Sequence, residues 1–251
     1  MLMLKRRSVL CAYLGAAISL PGLASVTSAD TSPAPVAPDT TRLRFARSDW
    51  NPRLLRMALE ASENPQSLAF VDALELPAIP VGADLDAELA HLLRLQARRT
   101  WADVNHTSLG LLRQSQDPIG YLLEAVLGVG LHMKDRAGLN ALANQVEPLI
   151  LLTKLTFSRS RPSAVNGRII PAMPVPGHPS FPSGHAAQAY VCAEALALRY
   201  PNQADKARQA GRALGDGREL AGLHFPSDTV AGRQLGFEFF ERFSKSGNFG
   251  R

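Results

Sequence analysis

Residues 178–188 read HPSFPSGHAAQ: two histidines among prolines, serines and a glycine, directly ahead of an alanine-rich run. Proline, serine and glycine together mark a tight turn, and Ser183-Gly184 stand where a helix would start. From His185 the run HAAQAYVCAEALALRY keeps helix formers and apolar residues as far as Tyr200, and Pro201 stops it. A helix start has N–H groups that no carbonyl within the helix can pair, and it carries partial positive charge. The stretch is therefore either a plain cap or an anion site with a proton donor at its edge.

Upstream and downstream the same helical period recurs. In NPRLLRMALEAS, Asn51 is a cap and Leu54, Leu55, Met57, Ala58 and Leu59 form an apolar stripe. LPAIPVG at 76–82 breaks the pattern, and Asp84 opens DLDAELAHLLRLQARRTWADVNHT with leucines at helical spacing. DPIGYLLEAVLGVGLHM places Asp117 as cap and Pro118 at the first helical position, and is apolar on nearly every side, which predicts a buried central helix. GLNALANQVEPLILLTKLTF continues the theme, with Pro148 expected to kink it. The proline-rich segment 162–182 reads as loop. Helices are expected over 185–200, over 202–215 with Gly215 as stop, and over about 226–245. No alternating strand pattern or repeat is visible. The fold class expected is all-α, a single-domain bundle of about six to eight helices.

The chain has 251 residues, 27 basic and 22 acidic side chains, and a formal charge of +5. Lys5, Arg6 and Arg7 stand in the first 29 residues with no acid among them, so the remainder carries 24 basic against 22 acidic groups, or +2. A nucleic-acid partner has no electrostatic support in that balance. Residues 1–29 combine a basic start, an apolar stretch and small residues suited to cleavage, and predict an export signal. Arg6-Arg7 partly match a twin-arginine signal, so that route and the general secretory one both stand. The apolar stretch is too short, and too soon broken by Pro21, for a membrane anchor. The mature chain is expected to be periplasmic or secreted, with 30–50 a Pro-rich linker and 51–245 the helical domain. Cys192 would then be its lone cysteine, a small buried residue rather than a nucleophile, and no histidine–cysteine cluster suggests a metal site.

Three stretches carry candidate chemistry. KLTFSRSRP places Lys154 and Arg161 seven residues apart, so two helical turns would put both on one side. Alone, such a pair is an ordinary solvated face. PSGH, residues 182–185, opens a helix whose Ser183 and Gly184 amides can face an oxyanion, with Gly184 allowing close approach. GRELAGLHFPSD spaces Arg218, His224 and Asp228 by six and four. Lys154, Arg161 and Arg218 would supply charge-assisted bonds to phosphate oxygens. A carboxylate at Asp228 would orient His224 as a nucleophile, and His185 would protonate a leaving oxygen. Each histidine alone is more often structural; the set together is hard to assign to chance.

Lys154-x6-Arg161-Pro162, Pro182-Ser183-Gly184-His185 and Arg218-x5-His224-x3-Asp228 resemble the three-part signature of the type 2 phosphatidic acid phosphatase and vanadium haloperoxidase superfamily, over about residues 85–235. The soluble, exported, all-helical form is similar to bacterial class A non-specific acid phosphatases. That resemblance implies a metal-independent phosphomonoesterase whose nucleophile is His224, whose general acid is His185, and whose phosphate cradle is Lys154, Arg161, Ser183, Gly184 and Arg218. It implies no cofactor, with vanadate as a phosphate-mimicking inhibitor and a phosphorylated small molecule as substrate. A vanadium haloperoxidase, a lipid or diphosphate phosphatase of the envelope, and a non-catalytic phosphate-binding protein are the alternatives. The third motif usually begins Ser-Arg; here Gly217 stands in place of the serine. His178 is a candidate for the pocket wall, whereas His91, His106 and His132 read as structural or partly exposed.

Overall fold

The alanine-rich run opened by PSGH is helix α9 (Gly184–Arg199), and it is the hub of the fold. Nearly all of its length from Ala186 to Ala197 is buried, because alanines let neighbouring helices approach closely. It packs against α10 (Ala204–Leu220), α11 (Pro226–Lys245), α7 (Met133–Phe157) and α6 (Pro118–Leu127). Close approach also explains two glycines: a Cβ on Gly215 would meet Thr229 and Ala186, and one on Gly232 would collide with the Ser183 carbonyl. Leu122, Val126, Val146, Val191, Leu196, Leu214 and Leu235 fill the space between these helices, each worth about 1.5–3 kcal/mol of burial.

This computed structural model describes residues 43–104, 110–130 and 132–245; the expected signal peptide, the linker up to residue 42, and His106 lie outside the described residues. Within Val36–Arg251, one compact unit, the remaining helices are α1 (Pro52–Glu63), α2 (Pro65–Asp72), α3 (Ala83–Arg98), α4 (Trp101–Val104), α5 (Leu111–Gln116) and α8 (Pro162–Val165). The described residues contain no strand, only an isolated bridge between Arg44 and Arg159. The all-α expectation holds.

Asn51 caps α1 by accepting from the amides of Arg53 and Leu54, and Asp117 caps α6 by accepting from that of Gly120. Differences from the sequence reading have local causes. The helix expected to end at Gly215 runs on to Leu220, because that glycine serves packing against α9 and α11 rather than termination. Asn64 starts an extra helix, α2, by capping Gln66 and Ser67. α6 is buried as expected but ends at Leu127, where Gly128 turns to φ 85°. Residues 43–50, expected as linker, are docked: the Phe45 amide donates to the Ser158 carbonyl and the Ser160 amide to that of Leu43. Trp50 is buried against Ala58 and Leu151, so an apolar anchor decides what proline content alone suggested was free.

Candidate active site

All three motifs converge at one end of α9. The first enters from α7, whose C-terminal turn carries Lys154; the chain leaves it through Ser158 in the left-handed conformation (φ 50°), and residues 159–161 are not helical. Lys154 and Arg161 meet on one side as expected, although the second is not on the helix. The third motif contributes Arg218 from the last turn of α10 and His224 from the short connection to α11, whose first turn holds Asp228. Lys154, Arg161, Arg218, His224, Asp228 and Ser183 are all buried.

His224 is held at both nitrogens. Its Nδ1 lies 3.3 Å from Asp228 Oδ2, and Arg161 Nη1 lies 2.9 Å from its Nε2. A guanidinium can only donate, so Nε2 carries a lone pair and the ring proton sits on Nδ1, facing the carboxylate. The two residues that the sequence paired by spacing, His224 and Asp228, are thus in direct contact. Asp228 Oδ2 also accepts from the Phe225 amide at 2.9 Å, fixing the carboxylate against the turn.

The cradle divides its labour in a way that spacing cannot reveal. Lys154 Nζ donates to the carbonyls of Pro179, Ser180 and Pro182 at 2.8, 3.1 and 2.6 Å. Burial first, and Arg161 second, push this amine well below its ordinary range. Three acceptors nevertheless need three N–H donors, which only the ammonium supplies, so the hydrogen bonds hold the proton in place. Lys154 therefore braces the turn ahead of α9, with all three of its N–H groups directed at carbonyls. Arg161 spends Nε on the His178 carbonyl, Nη1 on the Leu223 carbonyl and His224, and Nη2 on His178 Nδ1. Burial lowers its pKa to about 9. Arg218 differs: Nη1 meets only the Met173 sulfur at 3.3 Å, and its buried Nε has no partner. An orphaned buried donor is costly unless something supplies an acceptor, which makes Arg218 the group most open to an anion.

The turn itself is partly spent too. The Ser183 amide donates to the Asp228 carbonyl at 2.8 Å, and the Ser183 hydroxyl oxygen accepts from the Ala186 amide. The first-turn amides of Gly184 and His185 are the ones the helix leaves for a ligand. A Cβ at Gly184 would meet Ile150 and Lys154 only at ordinary contact distances, so the protein's own packing does not demand glycine there. His185 is pushed down to about 3, first by burial and then by Arg218, against a hydrogen bond to the Ser115 backbone. His224 is pushed well below the imidazole range by burial, Arg161 and Lys154. His178 is pushed down by burial and by Lys154 and Arg161. All three are neutral without an anion. Negative charge in the site would reverse the repulsion and favour a protonated His185.

His178, left open by the sequence, stands in the site on Arg161. Two residues escaped sequence reasoning. Arg159, buried in the same SRSRP stretch, donates from Nη1 to Asp228 Oδ1 and Ser227 Oγ, both at 2.7 Å, and from Nη2 to Glu88 Oε2 at 2.9 Å. It lies 3.8 Å over the Phe225 ring. Glu88, on α3, also accepts from the Ser227 amide at 2.7 Å, at the start of α11. The signal available was alternation: in an extended segment Arg159 and Arg161 share a face, so a functional Arg161 brings its second neighbour along. Nothing in sequence pointed to Glu88. Cys192 is buried with its thiol pushed up to about 12, far from nucleophilic. Among the described residues no group of His, Cys, Asp and Glu could hold a metal ion, and no helix is long and apolar enough to cross a membrane.

The sequence model of the PAP2 superfamily matches residues 138–243, which carry all three motifs. Among solved structures, a transmembrane PAP2-type phosphatidylglycerolphosphate phosphatase from Bacillus subtilis is similar in fold at 20% identity. The likeness covers 78% of this chain and 98% of that one, with a TM-score of 0.51. A bacterial vanadium-dependent iodoperoxidase is similar at 14% identity and a TM-score of 0.53, covering 71% of this chain. The match spans about half of that longer protein, 53%. No curated protein matches the chain.

Proposed function

Residues 138–243 belong to the PAP2 superfamily, and from that premise we propose that the chain is a metal-independent acid phosphatase acting on phosphate monoesters through a phosphohistidine on His224. The observation that carries the reading is the tautomer of His224: Asp228 takes the proton side, and the lone pair of Nε2 points to Arg161 and the anion donors. The bound phosphate displaces Arg161 Nη1 from that nitrogen and draws on the orphaned Nε of Arg218 and the first amides of α9. Nε2 attacks phosphorus in line, the P–O bond breaks, and its electron pair leaves on the ester oxygen, which takes a proton from His185. A water then attacks phosphorus and gives its proton to His185. Phosphate leaves with the oxygen of that water and His224 regains its lone pair. Arg161, Arg218 and the helix start stabilise the equatorial charge throughout.

The substrate is a phosphorylated small molecule, and the export signal expected over residues 1–29 supports a site of action outside the cytoplasm. Hydrolysis of p-nitrophenyl phosphate in EDTA tests the reading. Turnover is expected in the wild type from acidic to neutral pH and absent in His224→Ala; equal rates in the two would end it. Acid quenching during turnover should trap an acid-labile phosphoryl group on the protein.

The fold likeness to a vanadium-dependent peroxidase keeps one second reading in view. The donors of Arg218, Arg161 and the α9 start would also hold vanadate. Peroxide-dependent iodide oxidation that rises with added vanadate would favour this peroxidase; phosphatase activity inhibited by vanadate would favour the first reading. A panel of lipid, nucleotide and sugar phosphates and diphosphates separates the possible substrates.

A further inference from the structure

We propose that His178 is a positioning residue for the nucleophile: it brackets Arg161, and through that guanidinium it sets the orientation and tautomer of His224. The inference rests on the proposed role of His224. One planar guanidinium joins two imidazoles, with Nη2 3.0 Å from His178 Nδ1 and Nη1 2.9 Å from His224 Nε2. The His178 carbonyl takes Nε at 3.1 Å, so a single residue grips two edges of the arginine fork. Because Arg161 can only donate, His178 Nδ1 must be an acceptor. The 3.1 Å approach of that same nitrogen to the Pro179 carbonyl is then a contact, not a hydrogen bond. His178 is thus neutral with its proton on Nε2, in keeping with the downward push that burial and its cationic neighbours exert.

Together with Leu223 and His224, the bracket engages four of the five N–H groups of this buried arginine and fixes its plane. When phosphate takes Nη1 away from His224, Nε and Nη2 remain tied to His178, so the guanidinium pivots in place and the His224 lone pair is released in the right direction. His178 stands before the turn that Lys154 braces, so the strut and the bracket fix the same loop from two sides. The first histidine of HPSFPSGHAAQ therefore serves the histidine of the third motif, 46 positions along the chain.

The test uses His178→Leu and His178→Asn. The amide oxygen of asparagine can take the place of Nδ1 as acceptor, whereas leucine cannot. His178→Leu is expected to lose about tenfold or more in kcat on p-nitrophenyl phosphate, the scale of one charged hydrogen bond, with KM changed less. His178→Asn should recover to within about threefold of wild type. Imidazole-nitrogen NMR of the unliganded full chain supplies a readout independent of turnover. His224 should show Nδ1–H in wild type and His178→Asn, and mixed tautomers in His178→Leu. Equal kcat in all three proteins, equal loss in both variants, or an unchanged His224 tautomer in folded His178→Leu would overturn the proposal. Should His224→Ala retain full activity, the phosphohistidine reading falls instead, and the NMR comparison still decides the bracket.

Discussion

Arg159→Met removes the cation that joins Asp228, Ser227 and Glu88, and its consequences can be worked from the contacts. The guanidinium is 4% exposed, and it meets Asp228 at 2.7 Å and Glu88 at 2.9 Å. Removing one partner of a buried ion pair costs about 3–5 kcal/mol, because the remaining charge stays desolvated. The bond to Ser227 Oγ adds about 1 kcal/mol and the stack on Phe225 a similar amount. These overlap, so a loss of about 4 kcal/mol in urea unfolding is expected. Glu88→Gln in the same chain removes one stranded charge, and the double variant should be less destabilised than the sum by about 1–3 kcal/mol. In turnover, Asp228 keeps the Phe225 amide but loses its other anchor, so His224 loosens while no phosphate donor is touched. kcat should fall about 10- to 100-fold with KM near wild type. Arg159→Lys, which can reach one carboxylate but not span both, should lie between. A stability loss below about 1 kcal/mol, or an effect confined to KM, would refute the linkage.

Proton uptake should accompany anion binding, since an oxyanion beside His185 lifts its pKa from about 3. Calorimetry of inorganic phosphate in buffers of different ionisation enthalpy checks it, and enthalpies independent of buffer would contradict the electrostatics. The same depressed His185 pKa stabilises the fold above the unfolded imidazole value near 6.5 and withdraws that stability as pH falls toward about 3, so phosphate should raise Tm more at acidic than at neutral pH. Glu219, pushed up to about 7 chiefly by burial, works in the opposite sense, its contribution present below the unfolded carboxylate value and lost as pH rises through about 7. Glu219→Gln should therefore be more stable than wild type above that pH, by up to about 3 kcal/mol in urea unfolding. Gly217→Ser places a Cβ 2.6 Å from Gln114 Oε1 and 3.1 Å from Leu111. Restoring the familiar serine should thus destabilise by about 1 kcal/mol and not improve KM, with Gln114→Ala relieving the loss; a stabilised, tighter-binding single variant would show the packing argument wrong.

Much of the protein was legible from short-range rules. Caps at Asn51 and Asp117, the helical period and the proline stops depend on neighbours within a turn or two, so α1, α6 and α9 could be read directly. Glycine was the point of failure: Gly215 looks like a terminator in sequence, yet its meaning is the 3.2 Å between its missing Cβ and that of Ala186 on another helix. The docked strip 43–50 and the extra helix α2 were likewise hidden, the first because its anchor Trp50 finds its pocket across the fold.

Residue type and spacing picked out the groups that the fold gathers at the start of α9, because motifs chosen for an anion's need of cations and helix amides come together there. What they could not assign was who donates to whom. Hydrogen-bond capacity is finite, and each donor goes to whichever acceptor the folded chain brings within about 3 Å. Lys154 is consumed by three carbonyls, Arg161 by two histidines, and the Ser183 amide by Asp228, while Arg218 keeps an open donor. Arg159 and Glu88 enter only because α3, the exit of α7 and the start of α11 meet at Asp228. The chemistry was written in the residues; its distribution among them belongs to contacts between segments far apart in the chain.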